Sequence, residues 1–475
     1  MLNRSANKPP GSIIQAMLGT AIILLTLYMV VVQNLGNIKT PPVIKGLSQL
    51  RFSPIGERLL VIAPHPDDET LATGGLIQQA LSEHRKVKVV IMTCGDGNAG
   101  IVRAYTKKNN VTPVDFRLVG KVRIRESKNA LARLGLTEGD LTLLAYPDGG
   151  LNSLWDYNWD YDNLHRGLNG HDHAPYSFAY QKNAPYCGEN VVKNLTSIIN
   201  DYKPTGIVFP DTQDNHHDHW AANAFMQYVL TKTGYRANKY IYLVHKRDFP
   251  FPAGDEPSYP LDPPTAFARQ MSDWESLRLS SDNERVKGEA LAVYKIPALV
   301  KQRFIESFVR TNELVGKTVV RHVRRVNTPP KFDAPVMPYK TCIDPPSDRV
   351  RSSPGNSGDL DRVSFCISKN TAYAGVETAG NISDKIKYSF RMRIFGVSRV
   401  DQVDMEFTRG TVRCLRDTHN SLACGAGMRA HVLEKRIWIE FPSSIFNGKK
   451  ALMYCVDSSM NRKLLDRVAW HTCQL

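Results

Sequence analysis

Cysteine is scarce over most of this chain. Only Cys94 and Cys187 precede residue 340. Cys342, Cys366, Cys414, Cys424, Cys455 and Cys473 all follow it. None forms a CxxC pair, which excludes the usual ligand spacing of a structural zinc site. An even set of six in the C-terminal part is consistent with up to three disulfides and an oxidising compartment. Long blocks of one charge are also missing. The formal net charge is +15, yet the densest basic run is Arg321-His322-Val323-Arg324-Arg325. Such an excess suits an anionic surface. No helix-turn-helix, finger or RNA-module signature accompanies it, so nucleic acid is not an expected partner. There is no internal repeat and no disordered or collagen-like bias.

Long apolar runs are missing too, with one exception. Residues 13–32 are almost uninterrupted apolar sequence. Twenty residues span about 30 Å as a helix, enough to cross a bilayer. The run ends Val30-Val31-Val32-Gln33-Asn34, without the small-residue exit of a cleaved signal peptide. It therefore predicts an uncleaved transmembrane signal anchor. Basic residues flank it on both sides (Arg4, Lys8; Lys39, Lys45), so charge sets the orientation only weakly. Together with the cysteines, the anchor predicts a single-pass membrane protein whose bulk is extracytoplasmic.

A length of 475 residues implies at least two globular units. After a short Pro-punctuated linker (33–55), strand and helix patterns alternate. Strands are expected at Leu59–Ala63, Val87–Thr93, Leu141–Ala145, Gly206–Phe209 and Tyr240–Val244. Helices are expected at Leu71–Glu83, Arg123–Leu134, Val191–Asp201 and Trp220–Thr231. Glu284–Leu314 reads as one or two more helices, broken at Pro297. This is the pattern of a Rossmann-like α/β fold, a mostly parallel sheet with helices on both faces. Such sheets place sites at the carboxyl ends of strands. Residues 327–357, rich in Pro, Ser and Asp, read as a linker. Beyond them the period changes to alternation, as in Ile386–Ile394, and 358–475 reads as an all-β sandwich-like unit.

Two clusters carry chemistry. The strand Leu59–Ala63 runs into Pro64-His65-Pro66-Asp67-Asp68-Glu69. Pro66 holds His65 extended, and the acids fall on the strand-to-helix turn. One acid could be a helix cap, but a cap needs neither the histidine nor the other acids. The strand Gly206–Phe209 runs into Pro210-Asp211-Thr212-Gln213-Asp214-Asn215-His216-His217-Asp218-His219, three His and three Asp within nine residues. Two such clusters at the ends of two strands of one sheet point to a divalent metal.

These motifs resemble the PIG-L / LmbE-like family of zinc-dependent N-acetylglucosaminide deacetylases. The likeness extends to Thr93-Cys-Gly-Asp-Gly97, Arg123-x-x-Glu126, Tyr146-Pro-Asp-Gly-Gly-Leu151 and Lys287–Glu313, and covers roughly residues 57–320. It implies an LmbE-like domain over 56–326, with the tail 1–12, the anchor 13–32 and the unit 358–475 outside it. It implies Zn2+ (or another divalent metal) on His65, Asp68 and His219. Asp67 would be the general base, His216 would stabilise the oxyanion or protonate the leaving amine, and Asp218 would orient a catalytic histidine. Three N/O ligands with an open position suit catalytic zinc, and a carboxylate that is not a ligand can take a proton from water. The sequence has His217 where the family commonly has Pro, which adds a competing ligand.

Candidate substrate contacts are Asp96, Arg123, Glu126 and Asp148 from the supporting motifs. Trp155 and Trp159 join them from the aromatic-rich stretch 151–187, which reads either as a glycan-binding lid or as a self-packed insertion. His165, His171 and His173 read as surface residues. The expected function is a membrane-anchored zinc deacetylase acting on an N-acetylated glycan or glycolipid. The alternatives are an amidase on another N-acyl small molecule or conjugate, and a non-catalytic glycan-binding surface protein.

Overall fold

The computed structural model describes residues 43–51, 55–265, 272–318, 320–343, 354–418 and 427–475. The expected anchor at 13–32 lies outside them. Among the described residues, no helix is long and apolar enough to cross a membrane.

The first sheet has eight strands: β1 (Ser48–Gln49), β2 (Arg58–Ala63), β3 (Lys86–Thr93), β4 (Leu141–Tyr146), β5 (Gly206–Pro210), β6 (Asn238–Tyr242), β7 (Ser272–Arg278) and β8 (Asn312–Thr318). Their order is β1-β7-β8-β6-β5-β2-β3-β4. The block from β6 to β4 is parallel throughout. Its central strands β2 and β5 carry unbroken apolar runs because both faces are covered; Leu59 to Ala63 and Gly206 to Pro210 are buried without a break. The sheet is mixed rather than simply parallel, because β8 pairs antiparallel with both β6 and β7. The chain leaves β2 for β3 on one side and later returns to β5 on the other. The two catalytic-looking clusters therefore emerge side by side at the switch point of the sheet.

The helices are α1 (Asp68–Ser82), α2 (Ala99–Thr106), α3 (Pro113–Arg133), α4 (Leu151–Asp156), α5 (Gly188–Tyr202), α6 (His217–Thr233), α7 (Ser281–Leu291) and α8 (Lys295–Glu306). The helix α3 starts ten residues before the expected Arg123: Pro113 opens it and Thr112 with Asp115 forms a capping box. The break expected at Pro297 falls instead at 292–294. Pro297 sits in the first turn of α8, where no intrahelical donor is lost. Residues 312–314, expected to be helical, begin β8.

The C-terminal strands are β9 (Arg321–His322), β10 (Arg324–Val326), β11 (Lys340–Ile343), β12 (Leu360–Ser368), β13 (Thr371–Thr378), β14 (Lys387–Phe395), β15 (Val400–Thr408), β16 (Thr411–Asp417), β17 (Arg429–Leu433), β18 (Arg436–Pro442), β19 (Ala451–Met460) and β20 (Lys463–Gln474). They form two six-stranded sheets, β10-β12-β13-β18-β17 with β11 beside β12, and β16-β15-β14-β19-β20-β9. The strand β11 lies within the stretch that reads as a linker.

Successive side chains on β19 serve different cores. Leu452, Tyr454 and Val456 pack with Phe365 and Phe441 between the two sheets. Ala451, Met453 and Cys455 join the core of the α/β part. A strand covered on both faces loses the alternation of a half-exposed one. The disulfide expectation finds no support in the described residues. Among the described residues no two cysteines are bridged. Cys342 and Cys473 pack in the sandwich core, Cys455 in the α/β core, and Cys366 in a third cluster with Trp438 and Tyr373, so the set is divided among three cores. Cys424 lies outside the described residues.

Candidate active site

The turn after β2 gives its three acids three different surroundings. Asp68 opens α1 and is fully buried. Its Oδ2 accepts from the His65 amide at 2.9 Å and lies 3.1 Å from His65 Nδ1 and 3.0 Å from His219 Nε2. His65 Nδ1 and His219 Nε2 are 3.3 Å apart. A tetrahedral ion with bonds of about 2.0–2.1 Å needs donor atoms about 3.3 Å apart, so this triangle has the size of one face of a zinc site. Asp68 Oδ1 is buried without a partner. The donor atoms of His65, Asp68 and His219 thus have a spacing that fits a divalent metal.

Carboxylates behind the histidines fix their orientation. His65 Nε2 lies 3.0 Å from Asp218 Oδ2 and 3.2 Å from Asp148 Oδ1. That contact keeps a proton on Nε2 and leaves Nδ1 as the ligand atom. Asp218 also accepts from the Gly149 and Leu151 amides, at 2.7 and 2.9 Å. Asp218 therefore orients His65. His219 Nδ1 lies 3.1 Å from Asp214 Oδ2, and the same oxygen accepts from the Val244 and His245 amides. Burial opposes charge on His219, but Asp214 and Asp68 hold its pKa up at about 9. Ligand positions that hold protons without metal exchange them for the ion on binding.

Asp67 turns away from the triangle. Its backbone has φ 134° and ψ −32°, a conformation few non-glycine residues adopt. It is held there by the Asp67 amide donating to Glu69 Oε2 and by Arg123 Nη2, 3.0 Å from Asp67 Oδ2. Burial raises its pKa to about 6 against the pull of Arg123. Glu69 faces inwards, accepting from Tyr294 at 2.6 Å and Ser127 at 2.9 Å.

A cleft of about 280 Å³ lies over this group, walled by His65, Asp67, Asp148 and His216 on one side and by Lys301 and Phe304 of α8 on the other. His216 caps α6, its Nδ1 accepting from the Asp218 amide at 3.2 Å. Burial, with His65 and His219 beside it, lowers its pKa to about 4, so it is a neutral imidazole with its proton on Nε2. Two contributors were not singled out from the sequence. Asp214 lay inside the second cluster without a role. His245 stands just beyond β6, stacks on Phe304, and makes a further set of potential ligands with Asp68 and His219. The rule that found the other clusters, polar residues at the carboxyl end of a parallel strand, would have found it. His217 is exposed and joins no such set, and neither do His165, His171 and His173.

Several expected substrate contacts do other work. Arg123 donates to the Gly95 and Pro66 carbonyls as well as to Asp67. It reaches the cleft wall but chiefly braces Asp67. Glu126 accepts from the Lys295 and Ile296 amides and caps α8. Asp96 is buried, accepting from Tyr176 at 2.5 Å and Asn169 at 3.1 Å. Asp148 does line the cleft, with its second oxygen accepting from the Gly97 amide at 2.6 Å. Trp155 is fully buried against Trp159, Phe225, Tyr228 and Trp470. Trp159 is buried in the same stack. Both are core residues, and among the described residues no aromatic of 151–187 lines the cleft.

Residues 60–229 match the family described as PIG-L: GlcNAc-PI de-N-acetylase. The chain carries a PIG-L family domain. Among curated proteins, it is 29% identical over 168 residues to a 1D-myo-inositol 2-acetamido-2-deoxy-alpha-D-glucopyranoside deacetylase of Tsukamurella paurometabola, covering 35% of this chain and 52% of that protein. The enzyme of the same name from Mycobacterium sp. (strain KMS) is 37% identical over 92 residues, 19% of this chain and 29% of its own length. The chain thus spans about half the length of the first of these relatives and less of the second. Among solved structures, N,N'-diacetylchitobiose deacetylase from Pyrococcus horikoshii aligns at 17% identity and TM-score 0.31, covering 50% of this chain and 70% of that one.

Proposed function

We propose that this protein is a metal-dependent N-deacetylase that hydrolyses the acetamide of an N-acetylglucosamine-type sugar. The observation that carries the reading is the convergence of His65 Nδ1, Asp68 Oδ2 and His219 Nε2 within 3.3 Å of one another, with the non-ligand carboxylate of Asp67 in the same cleft. The PIG-L domain and the N-acetylated sugars named for its relatives supply the substrate class.

A divalent ion on these three donors would polarise the acetyl carbonyl and make a neighbouring water acidic enough to lose a proton near neutral pH. Asp67 takes that proton. With a pKa of about 6 it is largely ionised at pH 7 yet basic enough for the task. Arg123 keeps the carboxylate turned into the cleft. His216 Nε2–H donates to the carbonyl oxygen as negative charge grows on it. The C–N bond then breaks, the proton on Asp67 passes to the departing amine, and acetate and free amino sugar remain. Asp218 and Asp214 keep His65 and His219 in the tautomers that the triangle needs.

The test is metal content of the full chain together with amine release from a panel of N-acetylglucosamine glycans and glycolipids. Neither bound metal nor hydrolysis across the panel would overturn the reading. The apolar run 13–32 supports attachment to a membrane as a second part of the proposal. Carbonate extraction of the expressed full chain checks it, and release into the soluble fraction would refute it.

A further inference from the structure

We infer that the C-terminal sheet holds the catalytic loops in register through Arg467, which acts as a positioning residue for the deacetylase centre. The inference rests on the proposed function for its consequence, but its geometry stands alone.

Arg467 on β20 reaches two helices of the α/β part at once. Its Nη2 lies 2.8 Å from Asp156 Oδ2 at the last residue of α4. Its guanidinium also sits over the Trp220 ring, 4.3 Å from the centroid. Each contact leads directly to the site. The helix α4 starts at Leu151, whose amide, with that of Gly149, donates to Asp218, the carboxylate behind His65. Asp148, one residue earlier, touches the same histidine. Trp220 immediately follows His219 on α6. One guanidinium thus ties the segment behind His65 to the segment that carries His219.

The bridge is built to be rigid. Arg391 on β14 lies 3.0 Å from the other oxygen of Asp156, and Asp457 on β19 pairs with both arginines. Asp156 and Asp457 are both buried, and a carboxylate gripped by two guanidinium forks has little rotational freedom. A third tie is close by: Thr212, in the loop after β5, donates from Oγ1 to the Trp470 carbonyl at 3.0 Å. A sheet that merely carried an appended module would need none of these charged groups in its contact. Apolar packing such as Phe395 on Tyr228 would hold the two parts together.

The experiment uses the full chain with Arg467→Met, and Arg416→Met as a control. Arg416 lies on β16, bonded to Gln402 of the same sheet. In Arg467→Met we expect hydrogen exchange at the Gly149, Leu151 and His219 amides to rise about tenfold. Zinc affinity should fall by about tenfold and kcat should fall with it, while KM stays near the wild-type value, as for other supporting-shell losses. Arg416→Met should leave all of these unchanged. If Arg467→Met does not fold, Asp156→Asn removes the same bridge from the other side and carries the test. Wild-type exchange at those amides with wild-type zinc affinity would overturn the inference. Failure of the wild-type protein to hydrolyse any N-acetyl sugar would instead overturn the proposed function, leaving the exchange result to decide the bracing.

Discussion

Replacing Asp67 by Asn separates the two duties that the turn after β2 assigns to its acids. The side chain keeps its shape and one carbonyl oxygen toward Arg123, but it can no longer take a proton. Arg123 retains the Gly95 and Pro66 carbonyls as acceptors, so the variant loses only the charge in one hydrogen bond. That corresponds to about 1–2 kcal/mol of stability, and the protein should remain folded. Loss of a positioned general base costs about a hundred- to ten-thousand-fold in rate, or roughly 3–5 kcal/mol of transition-state stabilisation. Zinc should stay, because His65, Asp68 and His219 are untouched.

The pH profile gives a second reading of the same change. The base works only when ionised, so wild-type activity should rise with pH through about 6. In Asp67→Asn that limb should vanish rather than shift. The assay is amine release from N-acetylglucosamine conjugates across pH 5 to 8, with metal content measured on the same samples. Loss of metal from a folded variant would refute the assignment of Asp67 as base. So would residual activity within tenfold of wild type.

Three further outcomes follow from the packing. Trp155→Ala should destabilise the protein by about 3–5 kcal/mol in urea unfolding, yet leave KM unaltered where the protein is folded; a raised KM would restore a sugar-stacking role. Glu126 is pushed from 4.5 to about 7, chiefly by burial and against the Lys295 and Ile296 amides. Its folded value lies above its unfolded one, so its contribution is fully present below pH 4.5 and is lost as pH rises through 7, a loss of roughly 3 kcal/mol. Glu126→Gln keeps an acceptor for α8, so thermal melts should favour it over wild type increasingly from pH 5 to pH 8, and a constant difference would contradict this. A Cβ at Gly97 would lie 2.2 Å from the Asp148 carbonyl oxygen. Gly97→Ala should therefore push Asp148 off His65 and cut activity by about a hundredfold, the scale of a displacement near 1 Å; unchanged kcat/KM would refute it.

What could be read from the sequence was local. The apolar runs of β2 and β5, the turn chemistry after each, and the helix spacing between them were enough to place two His- and Asp-rich clusters at neighbouring strand ends. What could not be read depends on partners remote in the chain. Trp155 is core because Trp470 and Arg393 close over it, and nothing near residue 155 reveals that. Cys455 and Cys473 lie in different cores because strands such as β19 are buried on both faces, which no count of cysteines indicates. Antiparallel β7 and β8 extend the parallel sheet through long-range pairing that leaves no local signature.

The Arg123-x-x-Glu126 pair and the run Asp67-Asp68-Glu69 make the same point from the site itself. Residues three apart on a helix share a face, and Arg123 and Glu126 were both candidate substrate contacts by their motif. Their face instead meets two parts of the protein, the Asp67 turn and the start of α8, and the pair fastens Asp67 to the wall of the cleft. Asp68 and Glu69, consecutive at the start of α1, point about 100° apart, and Asp67 before them is turned aside by its φ of 134°. Asp67 meets Arg123, Asp68 meets two histidines, and Glu69 meets Tyr294 and Ser127. The residue types permit an acid, a ligand and a buried anchor in any order. The order is set by what each direction encounters, and those encounters come from α3, α6 and α8.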